Sequence, residues 1–231
     1  MAKLSKRVRA NAGLTPKEPM EIPQAVAALK QFKGPKFDQS VDVCFWLGID
    51  TAQADQALRG SVSLPKGIGK TKRVIAFCPA DLVGPAKAAG AVEAGGEDLV
   101  AKIEGGWMDF DVAISTPDMM RVIAKLGRVL GPKGLMPAPK AGTVTPKIAD
   151  AVKEYAAGKV EYRADKSGNV HAVIGKMSFP DADLAANLQH FIETIERVRP
   201  SSVKGQYIKK ITISGSMTPG VQIKYAQAVV A

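Results

Sequence analysis

The sequence predicts an α/β protein of two domains: a split α+β domain from both chain ends, and an inserted Rossmann-like α/β domain. Strands and helices alternate in the middle of the chain, which is typical of a parallel sheet. Residues 1–66 and 159–231 each carry 10 basic and 6 acidic residues, whereas residues 67–158 carry 12 and 10. Most of the net charge of +10 therefore belongs to the two ends. We place the split domain at 1–66 and 159–231, and the inserted domain at 67–158.

The chain ends contain strands with one buried face and amphipathic helices. Residues 40–47 alternate, with Val41, Val43, Phe45 and Leu47 on one face and Asp42, Cys44 and Trp46 on the other. A basic arm precedes them and leads into a helix that ends at Gly34. Residues 181–198 form a long amphipathic helix. Further strands are predicted at 61–64, 159–163, 170–175, 207–213 and 221–225.

The middle of the chain contains continuous apolar runs, which indicate strands that are buried on both faces. The runs 73–78 and 111–114 are predicted strands, with a short strand possible at 91–92. Helices are predicted around 82–89 and 97–103. Thr116-Pro117 and Thr145-Pro146 each combine an N-cap residue with a proline that is favoured in the first turn, so each predicts a helix start.

Composition excludes several classes of protein. No run of about 18 apolar residues exists to span a bilayer, and the basic N-terminus lacks the apolar core of a signal peptide. We therefore expect a cytoplasmic protein without a membrane partner. Cys44 and Cys78 form no CxxC motif, and the chain has two histidines, so neither a disulfide framework nor a zinc site is expected. Catalytic motifs are lacking, and we expect neither enzymatic activity nor a cofactor.

The segment 67–71, with the sequence GIGKT, has two interpretations. A phosphate-binding loop requires a glycine at position 64, where this chain has leucine, and a following helix. The alternative is a hinge, in which Gly67 and Gly69 provide conformational freedom where one domain passes into the other.

The segment 119–149 contains six basic residues and no acidic one, around a loop rich in glycine and proline. A stiff loop with a basic edge suits contact with a sugar-phosphate backbone. An ordered surface loop with solvated lysines explains the composition equally well. If the loop contacts a sugar-phosphate backbone, the residues that contact RNA or tRNA are Arg128, Lys133 and Lys140.

Two short segments near the chain ends suit contact with folded RNA. Phe37 beside Lys36 suits stacking on an unpaired base, although a phenylalanine that closes the core is the alternative. The segment 214–220, with the sequence SGSMTPG, suits contact with an RNA minor groove through small hydroxyl groups, or forms a simple hairpin turn.

The run 126–144, LGRVLGPKGLMPAPKAGTV, closely resembles the signature of the family of the first protein of the large ribosomal subunit, the stalk proteins at the tRNA exit side. The similarity runs almost end to end. It includes 36–43 (KFDQSVDV), 64–70 (LPKGIGK), 116–120 (TPDMM), 171–176 (HAVIGK), 204–207 (KGQY) and Ser216-Met217.

The resemblance implies a split domain that binds the stalk of large-subunit rRNA, and a role in releasing deacylated tRNA from the exit site. It also implies translational repression through the messenger RNA of the protein's own operon. We expect a monomer outside the ribosome. By position, the RNA-binding residues are expected to be Lys36, Phe37, Ser40, Lys166, Gly168, His171, Lys176, Ser216, Met217 and Thr218.

Two positions depart from the family pattern. Thr218 stands where glycine is usual, so the local φ angle or the approach of RNA is expected to differ. Trp46 stands where the family tends to be polar, on the face away from the predicted core. Two other functions make distinct predictions: a nucleotide-dependent enzyme that binds ATP, GTP or NAD near 67–71, and a general RNA chaperone with similar affinity for unrelated RNAs.

Overall fold

The computed structural model describes residues 5–53 and 55–225. In chain order, the helices are α1 (Lys6–Leu14), α2 (Ile22–Gln31), α3 (Ala80–Ala88), α4 (Glu97–Glu104), α5 (Met120–Ile123), α6 (Gly127–Leu130), α7 (Ile148–Ala156) and α8 (Asp181–Arg197). The strands are β1 (Ser40–Leu47), β2 (Arg59–Val62), β3 (Val74–Phe77), β4 (Glu93–Gly95), β5 (Val112–Ser115), β6 (Val160–Arg163), β7 (Asn169–Lys176), β8 (Ile208–Gly215) and β9 (Val221–Ile223). The chain is a mixed α/β protein, as predicted.

The described residues divide into two compact units. One contains the residues up to Gly69 together with those from Val160 onward, and the other contains Lys70–Lys159.

The first unit is built on a sheet of order β7-β1-β8-β9, in which neighbouring strands are antiparallel. Helices α2 and α8 pack against each other and against this sheet. The inward side chains of β1 are fully buried with those of α8, where Phe45 and Phe191 lie 5.3 Å apart between ring centroids. The alternation predicted for β1 is confirmed at the predicted bounds.

The second unit contains a parallel sheet of order β4-β3-β5. Every residue of β3 and β5 is buried, as expected for strands that are covered on both faces. The parallel sheet that the apolar runs predicted is therefore present. The short strand lies at Glu93–Gly95 rather than at 91–92.

Several predicted elements differ from the structure. The basic arm contains helix α1, held by Asn11, whose amide bonds both the N–H and the C=O of Lys33 at 2.9 and 3.0 Å. Strand β2 begins at Arg59, because it pairs with β6 there. Thr116 does not cap a helix: α5 begins at Met120, and the buried Thr116 hydroxyl has no hydrogen-bond partner.

Candidate RNA-binding surface

Three segments that are far apart in sequence meet where β1 begins. Ser40 pairs in register with Lys176 of β7, and the Lys176 ammonium donates to the Ser40 hydroxyl at 3.1 Å. On the other side of β1, Val41 pairs with Gly215, and the Ser216 N–H donates to the Ser40 carbonyl at 3.1 Å. The sheet therefore brings Ser40, Lys176 and Ser216 together. We call this end of the sheet the Ser40 end, and it also includes Lys36, Phe37, Met217 and Thr218.

Gln39 connects these segments, although no motif in the sequence singles it out. Its side chain is buried, and its Oε1 accepts a hydrogen bond from the Met217 N–H at 2.8 Å. Its backbone carbonyl accepts from the Met177 N–H at 2.9 Å. The signal was present in the alternation of β1, because Gln39 continues the inward parity of Val41 and a polar side chain at such a position needs a partner.

The turn after β8 is closed by Thr218. Its hydroxyl accepts from the Gly215 N–H at 2.9 Å, and its own N–H donates to the Gly215 carbonyl at 3.2 Å. No non-glycine residue in 5–53 or 55–225 has a positive φ. Thr218 therefore occupies an ordinary backbone conformation, and its hydroxyl stabilises the turn. A difference from the family in the φ angle or in the approach of RNA stays a prediction.

Two large apolar side chains project from the Ser40 end. Phe37 is 54% exposed and Met217 is 55% exposed. A phenylalanine that closes the core would be buried, so the structure rules out that interpretation of Phe37. Exposed apolar groups beside Lys36 and Lys176 offer surfaces for stacking together with cations for phosphate.

The other predicted RNA-binding residues lie elsewhere on the same sheet. His171 is exposed and pairs with Cys44, halfway along β1. The Gly168 carbonyl accepts from the Leu47 N–H at 3.0 Å, so Gly168 and the exposed Lys166 lie at the far end of β1. Seven steps of about 3.3 Å put that end roughly 23 Å from Ser40. The ten residues thus form two groups with His171 between them.

The turn 165–169 at the far end is organised by Asp165. Its carboxylate accepts from the backbone N–H groups of Asn169 at 2.8 Å and Ser167 at 2.9 Å. These bonds, with that from the Asn169 backbone as the largest cause, lower the pKa of the Asp165 carboxyl below its usual range. Gly168 has φ +79°, which favours glycine at this position of the turn.

The outer face of the sheet carries Asp42 and Cys44 near its centre. Asp42 lies between the two groups, and burial raises the pKa of its carboxyl, while His171 and Lys176 nearby act in the opposite direction. Cys44 is half-buried, and it is a free thiol whose pKa is raised by burial. Within the described ranges, no group of three or more histidine, cysteine or acidic side chains is placed to bind a metal ion.

The basic loop of the second unit is ordered by its own bonds. The Thr143 hydroxyl bonds both the N–H and the C=O of Ala138, and the Tyr155 hydroxyl donates to the Ala141 carbonyl at 2.6 Å. Arg128, Lys133 and Lys140 are all exposed around it. Their side chains are accessible to a polyanion.

The segment 67–71 does not form a phosphate-binding loop, because the chain passes from it into strand β3 without a helix. Gly67 and Gly69 have φ angles of +62° and +69°. The buried amide of Asn187 fixes the start of the segment: its Oδ1 accepts from the Lys66 N–H, and its Nδ2 donates to the Gly67 and Ile174 carbonyls. The hinge role stays a prediction.

No helix of the described ranges is long and apolar enough to cross a membrane. The family model described as "Ribosomal protein L1p/L10e family" matches residues 29–219. A large ribosomal subunit protein uL1 from Rhodopirellula baltica is 53% identical over 223 residues, which cover 96% of this chain and 99% of that protein. A protein of the same name from Chlorobaculum tepidum is 47% identical over 215 residues, 93% of each chain. The chain therefore belongs to the Ribosomal protein L1p/L10e family, whose members are ribosomal proteins and not enzymes.

Proposed function

We propose that this protein is a structural constituent of the large ribosomal subunit, located on the ribosome in the cytoplasm, and that it binds the stalk region of large-subunit rRNA. Both relatives are named as large-subunit ribosomal proteins, and the similarity covers nearly the whole length of each. The observation that supports the RNA site most directly is the Ser40 end of the sheet. There Phe37, before β1, and Met217, after β8, are both exposed, Lys176 bonds the Ser40 hydroxyl, and the Met217 N–H is held by the buried Gln39 side chain.

Recognition at this surface relies on shape more than on charge. The hydroxyls of Ser216 and Thr218 and the backbone of the turn are groups that bond ribose 2′-hydroxyls and sugar edges. Lys36 and Lys176 supply phosphate contacts, which raise affinity and make it dependent on salt. Gln39 and Thr218 order the turn before RNA binds, so less conformational entropy is lost on binding.

The proposal also includes two further RNA partners, exit-site tRNA and the messenger RNA of the protein's own operon. The exposed Arg128, Lys133 and Lys140 support contact with exit-site tRNA during its release. The same RNA-binding surface supports translational repression, if the messenger of the protein's own operon carries a stalk-like fold. We also propose a monomer outside the ribosome, with the split unit as the RNA-binding domain, the 70–159 unit as an inserted domain, and Gly67 and Gly69 as the hinge between them.

The test of the rRNA site uses the full chain and a stalk fragment of bacterial large-subunit rRNA. The double variant F37A/M217A is expected to weaken binding by at least tenfold, with an unchanged salt dependence, because it removes stacking surface and no cation. V129A, which truncates an exposed apolar residue of the other unit, is the matched control. Equal affinities for the double variant and the wild type would contradict the site.

The competing hypothesis of a general RNA chaperone is tested with an unrelated hairpin of equal length. A chaperone binds both RNAs with similar affinity at matched salt, whereas stalk recognition predicts a clear preference for the stalk fragment.

A further inference from the structure

Trp46 is an exposed indole on the outer face of the sheet, at the end opposite Ser40. In β1 it pairs with Asn169 of β7 on one side and with Lys210 of β8 on the other, and 46% of the residue is exposed. The Lys209 ammonium lies 4.9 Å from the centroid of its ring. A large aromatic side chain in solvent beside a cation needs an explanation, because burial of such a ring is strongly favourable.

A β-bulge places two consecutive lysines beside this ring. In strand β8, Ile208 and Ile211 are buried while Lys209 and Lys210 are both exposed. A regular strand would direct one of the two lysines into the core. The register between β1 and β8 shifts between Trp46 and Leu47, which takes up the extra residue and directs both ammonium groups outward. Bulges commonly serve to redirect side chains at functional surfaces.

The adjoining turn adds to the positive character of this patch. Lys166 is exposed in the turn 165–169, which the bond from Leu47 to Gly168 holds against this end of β1. The carboxylate of Asp165 in the same turn is occupied by the N–H groups of Ser167 and Asn169. Lys209 and Lys210 therefore flank the indole, and the adjoining turn adds the exposed Lys166, while the Asp165 carboxylate there is engaged with the backbone.

An aromatic ring among lysines matches the chemistry of single-stranded nucleic acid better than that of a protein. A base has an apolar face for the indole, and its phosphates have charges for the lysines. An apolar protein surface over Trp46 would remove the ammonium groups of Lys209 and Lys210 from water without compensating charge. The patch also lies on the same sheet as the proposed rRNA surface, six residues or roughly 20 Å along β1.

We propose that Trp46, Lys209 and Lys210 form a stacking site for one unpaired base, with the indole against the base and the lysines on its flanking phosphates. The inference rests on the proposed RNA-binding function and extends it. The Ser40 end holds a folded element of the RNA, and the Trp46 patch holds an unpaired nucleotide beyond it.

The experiment reads the fluorescence of Trp46 directly. The chain has two tryptophans, so W107F leaves Trp46 as the only one. The probes are the stalk fragment and a ten-nucleotide oligoadenylate. Both are expected to quench the Trp46 emission, because a stacked base quenches indole fluorescence. In the wild-type background, W46A is expected to weaken binding of both probes by at least about fivefold, whereas W46F, which retains a ring, stays within about threefold of the wild type.

Matched controls separate stacking from general effects. V198A truncates another exposed apolar residue of the same unit and is expected to change nothing. K209Q/K210Q is expected to reduce the dependence of oligoadenylate affinity on salt, whereas K153Q, on α7 of the other unit, leaves it unchanged.

The two proposals fail in different ways. If the stalk fragment binds in a manner that depends on Phe37 and Met217, but neither probe quenches Trp46 and W46A binds normally, the stacking site is refuted while the proposed function stands. If oligoadenylate quenches Trp46 but the stalk fragment does not bind, the stacking site stands and the rRNA function is refuted. Quenching by ribosomal proteins and by neither RNA would overturn the stacking site in favour of a protein partner.

Discussion

Replacing Gln39 by methionine should loosen the turn that carries Met217 without disturbing the shape of the core. Methionine is close to glutamine in length and volume, and it fits the buried site of a side chain that is 3% exposed. It cannot replace the 2.8 Å bond that Oε1 accepts from the Met217 N–H. The bond from Met177 to the Gln39 carbonyl involves the backbone and remains.

The magnitude follows from the loss of one partly buried hydrogen bond. Removing the acceptor costs about 1 to 2 kcal/mol at the turn, since the N–H that is left behind can regain only part of its bonding from water. That cost corresponds to a roughly 5- to 30-fold increase in the opening of the turn. If RNA binds only the ordered turn, its affinity falls by up to the same factor.

The assay is native-state hydrogen exchange of the Met217 amide, combined with RNA titration. Faster exchange at Met217, with unchanged exchange in the centre of β1, is the expected result for Q39M. Q24M, at an exposed position on α2, is the control and should alter neither measurement. Unchanged exchange at Met217 would refute the role of Gln39. Faster exchange with full RNA affinity would show instead that RNA does not need the ordered turn.

Three further predictions concern single side chains. N187L removes three hydrogen bonds at a fully buried site and should lower the free energy of unfolding by about 3 kcal/mol. The measurement is a urea titration followed by Trp46 emission in the W107F background. A loss of free energy below about 1 kcal/mol would contradict this prediction. K176Q should weaken binding of stalk RNA and reduce the salt slope by about one, whereas K153Q does neither; an unchanged slope would remove Lys176 from the phosphate contacts. Because the pKa of the Asp165 carboxyl is lowered, its stabilisation of the turn 165–169 is present above the ordinary aspartate pKa of about 3.9 and is lost as pH falls through the lowered value. An NMR titration of this carboxyl with a midpoint at or above 3.9 would refute that assignment.

Alternating and helically spaced apolar residues predict strands and helices well, because each pattern arises within the element itself. The strand 40–47 was predicted at its exact bounds, because alternation of side chains across a strand is a property of the strand itself. The same alternation placed Trp46 on the outer face, where it is exposed. Helix α8 was predicted to within a residue, since an apolar stripe at helical spacing depends only on its own residues.

Other features depended on partners that the pattern could not reveal. Helix α1 was missed because its buried residue is Asn11, a polar side chain that is stabilised by the backbone of Lys33. The helix expected at Thr116 begins later, although the dipeptide Thr116-Pro117 has the composition of a helix start. Burial statistics favoured a core position for Phe37 and the family resemblance favoured an exposed one, and only packing decided between them.

The sequence by itself determined the family, the strand and helix patterns and the concentration of positive charge in the chain ends, because each of these is written in residue identity and short-range spacing. Only the tertiary structure decided which residues act together. Ser40 meets Lys176 and Ser216, which are 136 and 176 residues away, through the pairing of β1 with β7 and β8. The same pairing separates Lys166 and Gly168 from them, and places the bulge of β8 beside Trp46. Strand register is a long-range property, set by burial of one sheet face against α2 and α8 and by turns that no single segment specifies.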